Sequence, residues 1–280
     1  MSIPFLTGFT VKPASISGLG VVTFTDGTNE VTPNQLQCEA YGYTYNKAAG
    51  TCSTFRFNTN LNRSFNNANN STKGSQNVTE TGTNNTLIMG ENNTVKGFSR
   101  NNIIVGSNNE IANGVNNANV FGTFGEATAE NSIVLGGNAG SDYLGKSQAI
   151  QLIYGVRTSD GTKVDSYLNG ITGSYFVVPE NTAIMIVADV LAVRVGGTGA
   201  GSVGDYKSWI ATGVVVNKSG ELAVDSSTVS HSSSGTTGGW DAESTVSGVK
   251  YIMSVEGAAD HTIEWVSSIR FTQIKTGVTL

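Results

Sequence analysis

The sequence predicts an all-β protein in three parts: an N-terminal arm with a small module, a parallel β-roll or solenoid of repeats about 16 residues long, and a C-terminal antiparallel β-sandwich. Three observations predict it. Gly74, Gly90, Gly106, Gly122 and Gly136 recur at intervals of 16, 16, 16 and 14 residues, and five positions before each stands Asn69, Asn85, Asn101, Asn117 or Asn131. The segments after this repeat alternate β-rich runs with clusters of turn residues. The composition, with 35 glycines, 4 prolines and only 13% charged residues, fits a β-rich structural protein with many turns.

Taken in order, residues 1–31 read as an extended arm and a hairpin, with alternation in Val21-Val22-Thr23-Phe24-Thr25 and a turn at Asp26-Gly27. Thr32-Pro33 opens a short helix as cap and first-turn proline, Gly42 closes it, and Tyr43-Thr44-Tyr45 follows as a strand. Cys38 and Cys52, the only cysteines, suit either a disulfide formed outside a reducing cytosol or a buried pair of thiols. Zinc is excluded, because two cysteines need further ligands and neither His231 nor His261 is near in sequence.

The asparagine-rich stretch 58–70 leads into the repeats. Four units carry an apolar run: Leu87-Ile88-Met89, Ile103-Ile104-Val105, Val120-Phe121 and Ile133-Val134-Leu135. The first unit, Ser71-Thr72-Lys73, is polar, as a terminal repeat should be. A weaker echo, Asn77, Asn93 and Asn109, precedes Thr79, Val95 and Ile111, so each unit reads as two short strands. Asparagines in matched positions can stack as hydrogen-bonded ladders and tolerate the left-handed backbone of tight turns. Runs this short predict a core shared by three chains, a homotrimer with Ile88, Ile104, Val105, Val120 and Val134 at its centre.

Residues 141–146 read as a connector and 148–168 as strand, turn at Asp160-Gly161, strand. Further strand-like runs cover 175–178, 183–195, 208–216, 246–255 and 261–275, with Gly/Ser-rich loops at 196–204 and 226–239, which suggests a sandwich or jelly-roll. Trp209, Trp240 and Trp265 are candidate core anchors, although Trp240 sits at a loop edge and suits an exposed position as well. The expected boundaries are 1–56, 57–145 and 146–280.

A net charge of −5 and an isoelectric point near 5.1, without a basic cluster, exclude a general nucleic-acid binder. The first residues lack the form of a secretion signal and no run approaches 18 apolar residues, so synthesis in the cytosol without membrane insertion is expected. No cofactor, metal or nucleophile motif is present; the glycines of 196–201 lack the ending of a nucleotide loop, and the Asn-x-Thr sequons at Asn70 and Asn77 follow from composition. Glu110 and Glu126 share one register, and stacked rungs would bring their backbones within about 4.8 Å. A retaining glycosidase uses such a carboxylate pair. With nothing aromatic or basic beside them in sequence, the expectation is a solvated, non-catalytic surface.

The run Asn131-Ser-Ile-Val-Leu-Gly-Gly-Asn138 resembles the head repeat of trimeric autotransporter adhesins, which implies a left-handed roll in which three chains share a core. The chain departs from that family in showing no signal peptide, heptad stalk or membrane anchor. Residues 32–45, closed by Gly50-Thr-Cys52, are similar to short N-terminal modules of phage appendages. The C-terminal part, with Pro179-Glu-Asn181, Trp209 and 264–270, looks like a β-domain that follows solenoids in phage tail and head fibres. The resemblance implies a tailed-bacteriophage fibre, assembled in the host cytoplasm, attached to capsid or tail by its N-terminus and facing a host glycan or protein with its C-terminal loops. Tyr206 and Trp240 are the candidate host contacts. A phage polysaccharide depolymerase and a bacterial surface adhesin are the alternatives.

Overall fold

In the computed structural model, residues 11–18, 20–47, 49–54, 69–137 and 143–276 are described. The expected arm before Val11 and the asparagine-rich stretch 58–68 lie outside the described residues. Contacts divide the chain into two units, Met1–Phe65 and Asn66–Leu280.

The first unit is a small antiparallel sheet with one short helix. Strands β1 (Lys12–Ile16), β2 (Val21–Thr25), β3 (Glu30–Val31), β4 (Thr44–Asn46) and β5 (Thr51–Ser53) pair around a core of Val22, Phe24, Cys38 and Cys52. Asp26 builds the β2–β3 turn by accepting from the backbone N–H groups of Thr28 and Asn29 at 2.8 and 2.7 Å. Helix α1 (Gln35–Ala40) starts later than Thr32-Pro33 suggests. Its cap is Asn34, and Gln37 closes a capping box, so the reciprocal amide bonds, not the proline, decide where the helix begins. Gly42, at φ +79°, ends it as expected. Cys38 and Cys52 form a disulfide between the helix and β5, which resolves the pair left open by sequence.

The second unit begins with the roll. Strands β6 (Ser71–Lys73), β8 (Leu87–Glu91), β10 (Ile103–Ser107), β12 (Asn119–Thr123) and β14 (Ile133–Gly137) form one parallel sheet. Strands β7 (Val78–Thr79), β9 (Thr94–Val95), β11 (Glu110–Ile111) and β13 (Glu126–Ala127) form the other. Each of the first four rungs contributes one strand to each sheet and the fifth only to the first sheet, in register, so that Ile88, Ile104, Val120 and Val134 stack in one file.

That file corrects the expected shared core. The four side chains are fully buried inside their own chain, against Val95, Ile111 and Ala127 from the second sheet. Two strands per rung enclose what one run could not. Val105 points the other way and is 37% exposed on the outer face, so it is no part of that core.

Asparagine holds the corners. Asn69, Asn85, Asn101, Asn117 and Asn131 all have φ between +52° and +61°, and the amide of Asn85 donates to Asn101 and that of Asn101 to Asn117. A second file, Asn77, Asn93 and Asn109, is turned inward and bonds both to itself and to the glycine carbonyls of neighbouring rungs. The recurring glycine is required by close approach: a Cβ on Gly106, at φ +137°, would lie 1.8 Å from the Gly122 carbonyl oxygen.

The roll's first sheet does not stop at β14. Strand β15 (Ser147–Thr158) pairs antiparallel to it, Val134 opposite Ile150, and is followed in space by β23 (Thr262–Lys275), β18 (Thr182–Gly196), β19 (Tyr206–Lys218) and β20 (Glu221–Ser234). The second sheet ends differently: the side-chain amide of Gln148 accepts from Glu126 N–H at 2.8 Å and donates to Glu126 C=O at 3.1 Å, standing in for the next rung. Strands β16 (Lys163–Leu168), β17 (Phe176–Val177) and β21 (Asp241–Ser247) pair with β22 (Lys250–Glu256) and form a second layer over the long strands. Between the layers lie Tyr154, Phe176, Tyr251, Trp265 and Phe271, with Phe176 stacked on Phe271 at 4.8 Å.

Two loop expectations change. Residues 226–234 are strand, not loop: the Ser/Thr run forms the edge β20, paired on one side only, where few apolar side chains are needed. Residues 246–255 are not one strand but the end of β21, a turn at Gly248, and β22.

Candidate functional site

Because a sheet residue and its cross-strand partner face the same way, strand register gives the outer face of the long sheet directly. One row runs Met89, Val105, Phe121, Leu135, Ala149, Thr272, Met185, Val214 across eight strands. The next row, Ile133, Gln151, Arg270, Val187 and Thr212, is mixed, and the one beyond it holds Ile153, Ser268, Asp189, Ile210 and Val229. Most of the large exposed apolar side chains among the described residues belong to this face, Leu135 at 53% and Met185 at 54% exposure among them. The face extends roughly 35 Å at a strand spacing of about 4.8 Å. Two or three rows of it make a patch on the order of 600 Å², at the top of what a soluble monomer exposes. Its central charges are already paired across strands, Arg270 with Asp189 at 3.9 Å and Arg157 with Glu264.

The other sheet of the roll is polar outside and carries the carboxylates singled out by sequence. Glu110 and Glu126 are register partners, as their spacing predicts. Their side chains are held apart by different cations: Lys96 lies 3.4 Å from Glu110 and 3.7 Å from Glu80, and Lys275 lies 2.9 Å from Glu126. The expectation that nothing basic flanks the pair is therefore corrected, since the partners come from the previous rung and from β23. Burial raises the Glu110 carboxyl above its ordinary range, opposed by the charge of Lys96.

Glu110 also lines a shallow cleft of about 210 Å³ with Asn92, Thr94, Asn108, Asn109, Phe124, Tyr143 and Leu144. Aromatic side chains thus flank this carboxylate, which sequence adjacency did not show. Glu126 is not in the cleft. The wall formed by Tyr143 and Leu144 is tied to the roll by Gly145 N–H donating to the Phe124 carbonyl at 2.8 Å, and the Tyr143 hydroxyl donates to the Lys275 carbonyl at 3.1 Å.

The C-terminal loops are built around a buried cation that sequence reasoning missed. Arg194 is 2% exposed, and its guanidinium donates to the carbonyls of Gly196, Gly197, Gly199 and Ala200. The glycine-rich loop at 196–204 is therefore wrapped on an arginine. Asp205 accepts from Ser202 N–H at 2.9 Å and Thr236 N–H at 3.1 Å, linking this loop to 235–239 and lowering its own carboxyl below the usual range, chiefly through the Ser202 bond.

Of the two candidate host contacts, Tyr206 is 39% exposed on β19, whereas Trp240 is 1% exposed. The Trp240 indole N–H donates to His261 Nδ1 at 3.2 Å and the ring packs on Trp265, so it is a core residue and offers no surface to a host. Among the described residues no group of His, Cys, Asp and Glu is placed to hold a metal, and no helix is long and apolar enough to cross a membrane.

No protein-family model and no curated protein matches the sequence. Solved structures similar to the chain include three phage proteins. The tailspike protein of Acinetobacter baumannii phage AM24 is 10% identical, with 75% of this chain and 50% of that chain covered and a TM-score of 0.29. The tailspike gp49 of Acinetobacter baumannii bacteriophage Fri1, a capsular polysaccharide depolymerase, is 10% identical over 70% of this chain and 36% of its own, with a TM-score of 0.24. The tailspike of Acinetobacter phage vB_ApiP_P1 is 11% identical over 75% and 49%, with a TM-score of 0.21. The chain spans half or less of the length of each, and at these scores its own geometry carries the functional reading.

Proposed function

We propose that this protein is a structural fibre of a tailed-bacteriophage virion, a homotrimer anchored to capsid or tail through residues 1–56, with the roll of 57–145 as shaft and 146–280 as the distal, host-facing part. The observation that carries it is the apolar outer face of the long sheet. A single chain already encloses its own core, so the face is surplus to folding, and three copies packed face to face remove it from water. The sequence resemblances supply the virion setting.

The proposed role is attachment without cleavage. Glu110 and Glu126 are drawn to different lysines, and only Glu110 reaches the cleft, whereas a retaining glycosidase places both carboxylates about the same bond. The depolymerase reading draws on one observation, the aromatic-flanked Glu110. Gold-labelled antibody against residues 146–280, applied to intact virions and viewed by electron microscopy, tests the proposal. Label at the tips of head or tail projections supports it, and virions without label refute it. Deleting residues 1–56 should abolish incorporation; normal incorporation of the deletion would reverse the polarity.

A further inference from the structure

The corner file Asn92, Asn108 and Phe124 breaks its own pattern. These residues occupy equivalent positions 16 apart, all in the left-handed region, with φ of +53°, +55° and +55°. Asn92 and Asn108 are what the conformation favours, and the Asn92 amide donates to Asn108 Oδ1 at 2.6 Å. The next residue should receive the Asn108 amide in turn, as Asn117 receives that of Asn101. Phe124 stands there instead. It is a bulky residue in a backbone conformation that costs it on the order of 1–2 kcal/mol. It also leaves the half-buried Asn108 Nδ2 without a ladder acceptor.

The same substitution makes the cleft. Phe124 and Tyr143 give it aromatic surface, the Asn108 amide is a donor, and the Glu110 carboxylate is an acceptor. A ligand that suits this set has an apolar ring face for the aromatics and a rim of hydroxyls that both donate and accept. We propose that this cleft binds one ring of a neutral saccharide, with Phe124 as platform, Asn108 as donor and Glu110 as acceptor. Its volume of about 210 Å³ is below the roughly 300–1,000 Å³ of sites for drug-sized ligands, which fits a single ring of a longer chain. Lys96 is shared by two carboxylates, Glu80 and Glu110, so the charge beside the cleft stays net negative and disfavours uronic and sialic acids. The cleft lies on the second sheet of the roll, not on the apolar face, and stays open in a trimer packed through that face.

This deepens the host-contact part of the proposed function by naming a ligand class, yet it uses residues of one chain, so its failure leaves trimerisation and virion attachment untouched. The test is binding of the full-length protein to a microarray of neutral and acidic bacterial glycans, followed by titration calorimetry with the best neutral oligosaccharide. Wild type should bind neutral glycans and ignore acidic ones. Phe124→Asn should lose at least tenfold in affinity while melting at the same temperature or higher, because it restores the ladder and relieves the backbone. A merely structural Phe124 would give the opposite pairing, lower stability with binding unchanged. Phe98→Gly, at another left-handed corner outside the cleft, should leave binding intact. Absence of neutral-glycan binding by wild type, equal affinity of Phe124→Asn, or reducing ends released by wild type and not by Glu110→Gln would each overturn the proposal.

Discussion

Replacing Asn109 by alanine tests whether the inward asparagine file holds the roll together. The Asn109 amide is buried, donates to Asn93 Oδ1 at 3.0 Å and to the Gly122 carbonyl at 2.8 Å, and accepts from Gly125 N–H at 2.8 Å. Asn93 Oδ1 retains a donor after truncation, the backbone N–H of residue 109 at 3.0 Å. Of the two groups that lose their side-chain partner, Gly122 is exposed, so water can replace the donor at its carbonyl, whereas the Gly125 amide is buried and loses its acceptor. At about 1–3 kcal/mol for a buried group stranded, the loss is about 1–3 kcal/mol, with a centre near 2. That is a substantial part of the roughly 5–15 kcal/mol that keeps a domain folded. Urea unfolding followed by far-ultraviolet circular dichroism, at one fixed protein concentration, measures it, with Asn101→Gly as control. Asn101 belongs to the exposed file, water replaces its bonds and glycine accepts its φ of +56°, so its loss should stay below about 1 kcal/mol. A loss below about 1 kcal/mol for Asn109→Ala as well would refute the reasoning, because it would make the inward bonds dispensable.

Three further outcomes follow from the same geometry. Gly106→Ala must push Gly122 away or unwind a rung, and a cost of about 2–3 kcal/mol lowers the melting temperature by roughly 5–10 °C, whereas Gly114→Ala, with open space around its Cβ, should cost less; equal effects would contradict close approach as the cause. Glu110 has a raised folded-state pKa, so the folded protein holds its proton more tightly and stability falls as pH rises from the unfolded value of about 4.5 through the raised one. Glu110→Gln should therefore stabilise the roll at neutral pH and make no difference in acid, and a variant less stable than wild type at pH 7 would contradict the dominance of burial over the Lys96 pair. Reducing the Cys38–Cys52 bond should cost the first unit about 3 kcal/mol for a loop of this length and leave the melting of the second unit unchanged; calorimetry with and without reductant reads both.

The roll was legible because its period is written twice, in glycines that permit rungs to approach and in asparagines that accept left-handed corners. Ownership of the core was not. Ile103-Ile104-Val105 is apolar on both faces, and alternation alone cannot say whether Ile104 or Val105 points inward when both faces are to be buried, one by the chain itself and one by something else. The strand at 226–234 was hidden because an edge strand over solvent carries serine where a central strand carries valine. Arg194 reads as one more polar residue until the backbone shows four carbonyls converging on it. The cleft was invisible to adjacency, since Tyr143 and Phe124 meet Glu110 only through the coil. Its signal was nevertheless present in the 16-residue alignment, where a phenylalanine stands at an asparagine position.

The central claim is that the apolar face of the long sheet joins three chains, and the mass of the assembly in solution tests it most directly. Light scattering coupled to size exclusion should give three times the 29.2 kDa chain mass for wild type. The double variant Val105→Asp/Leu135→Asp, which charges the outer face and leaves the Ile104 file intact, should elute at the mass of one chain with its β circular dichroism preserved. A wild-type mass of one chain, or a double variant that remains three chains, would contradict the account.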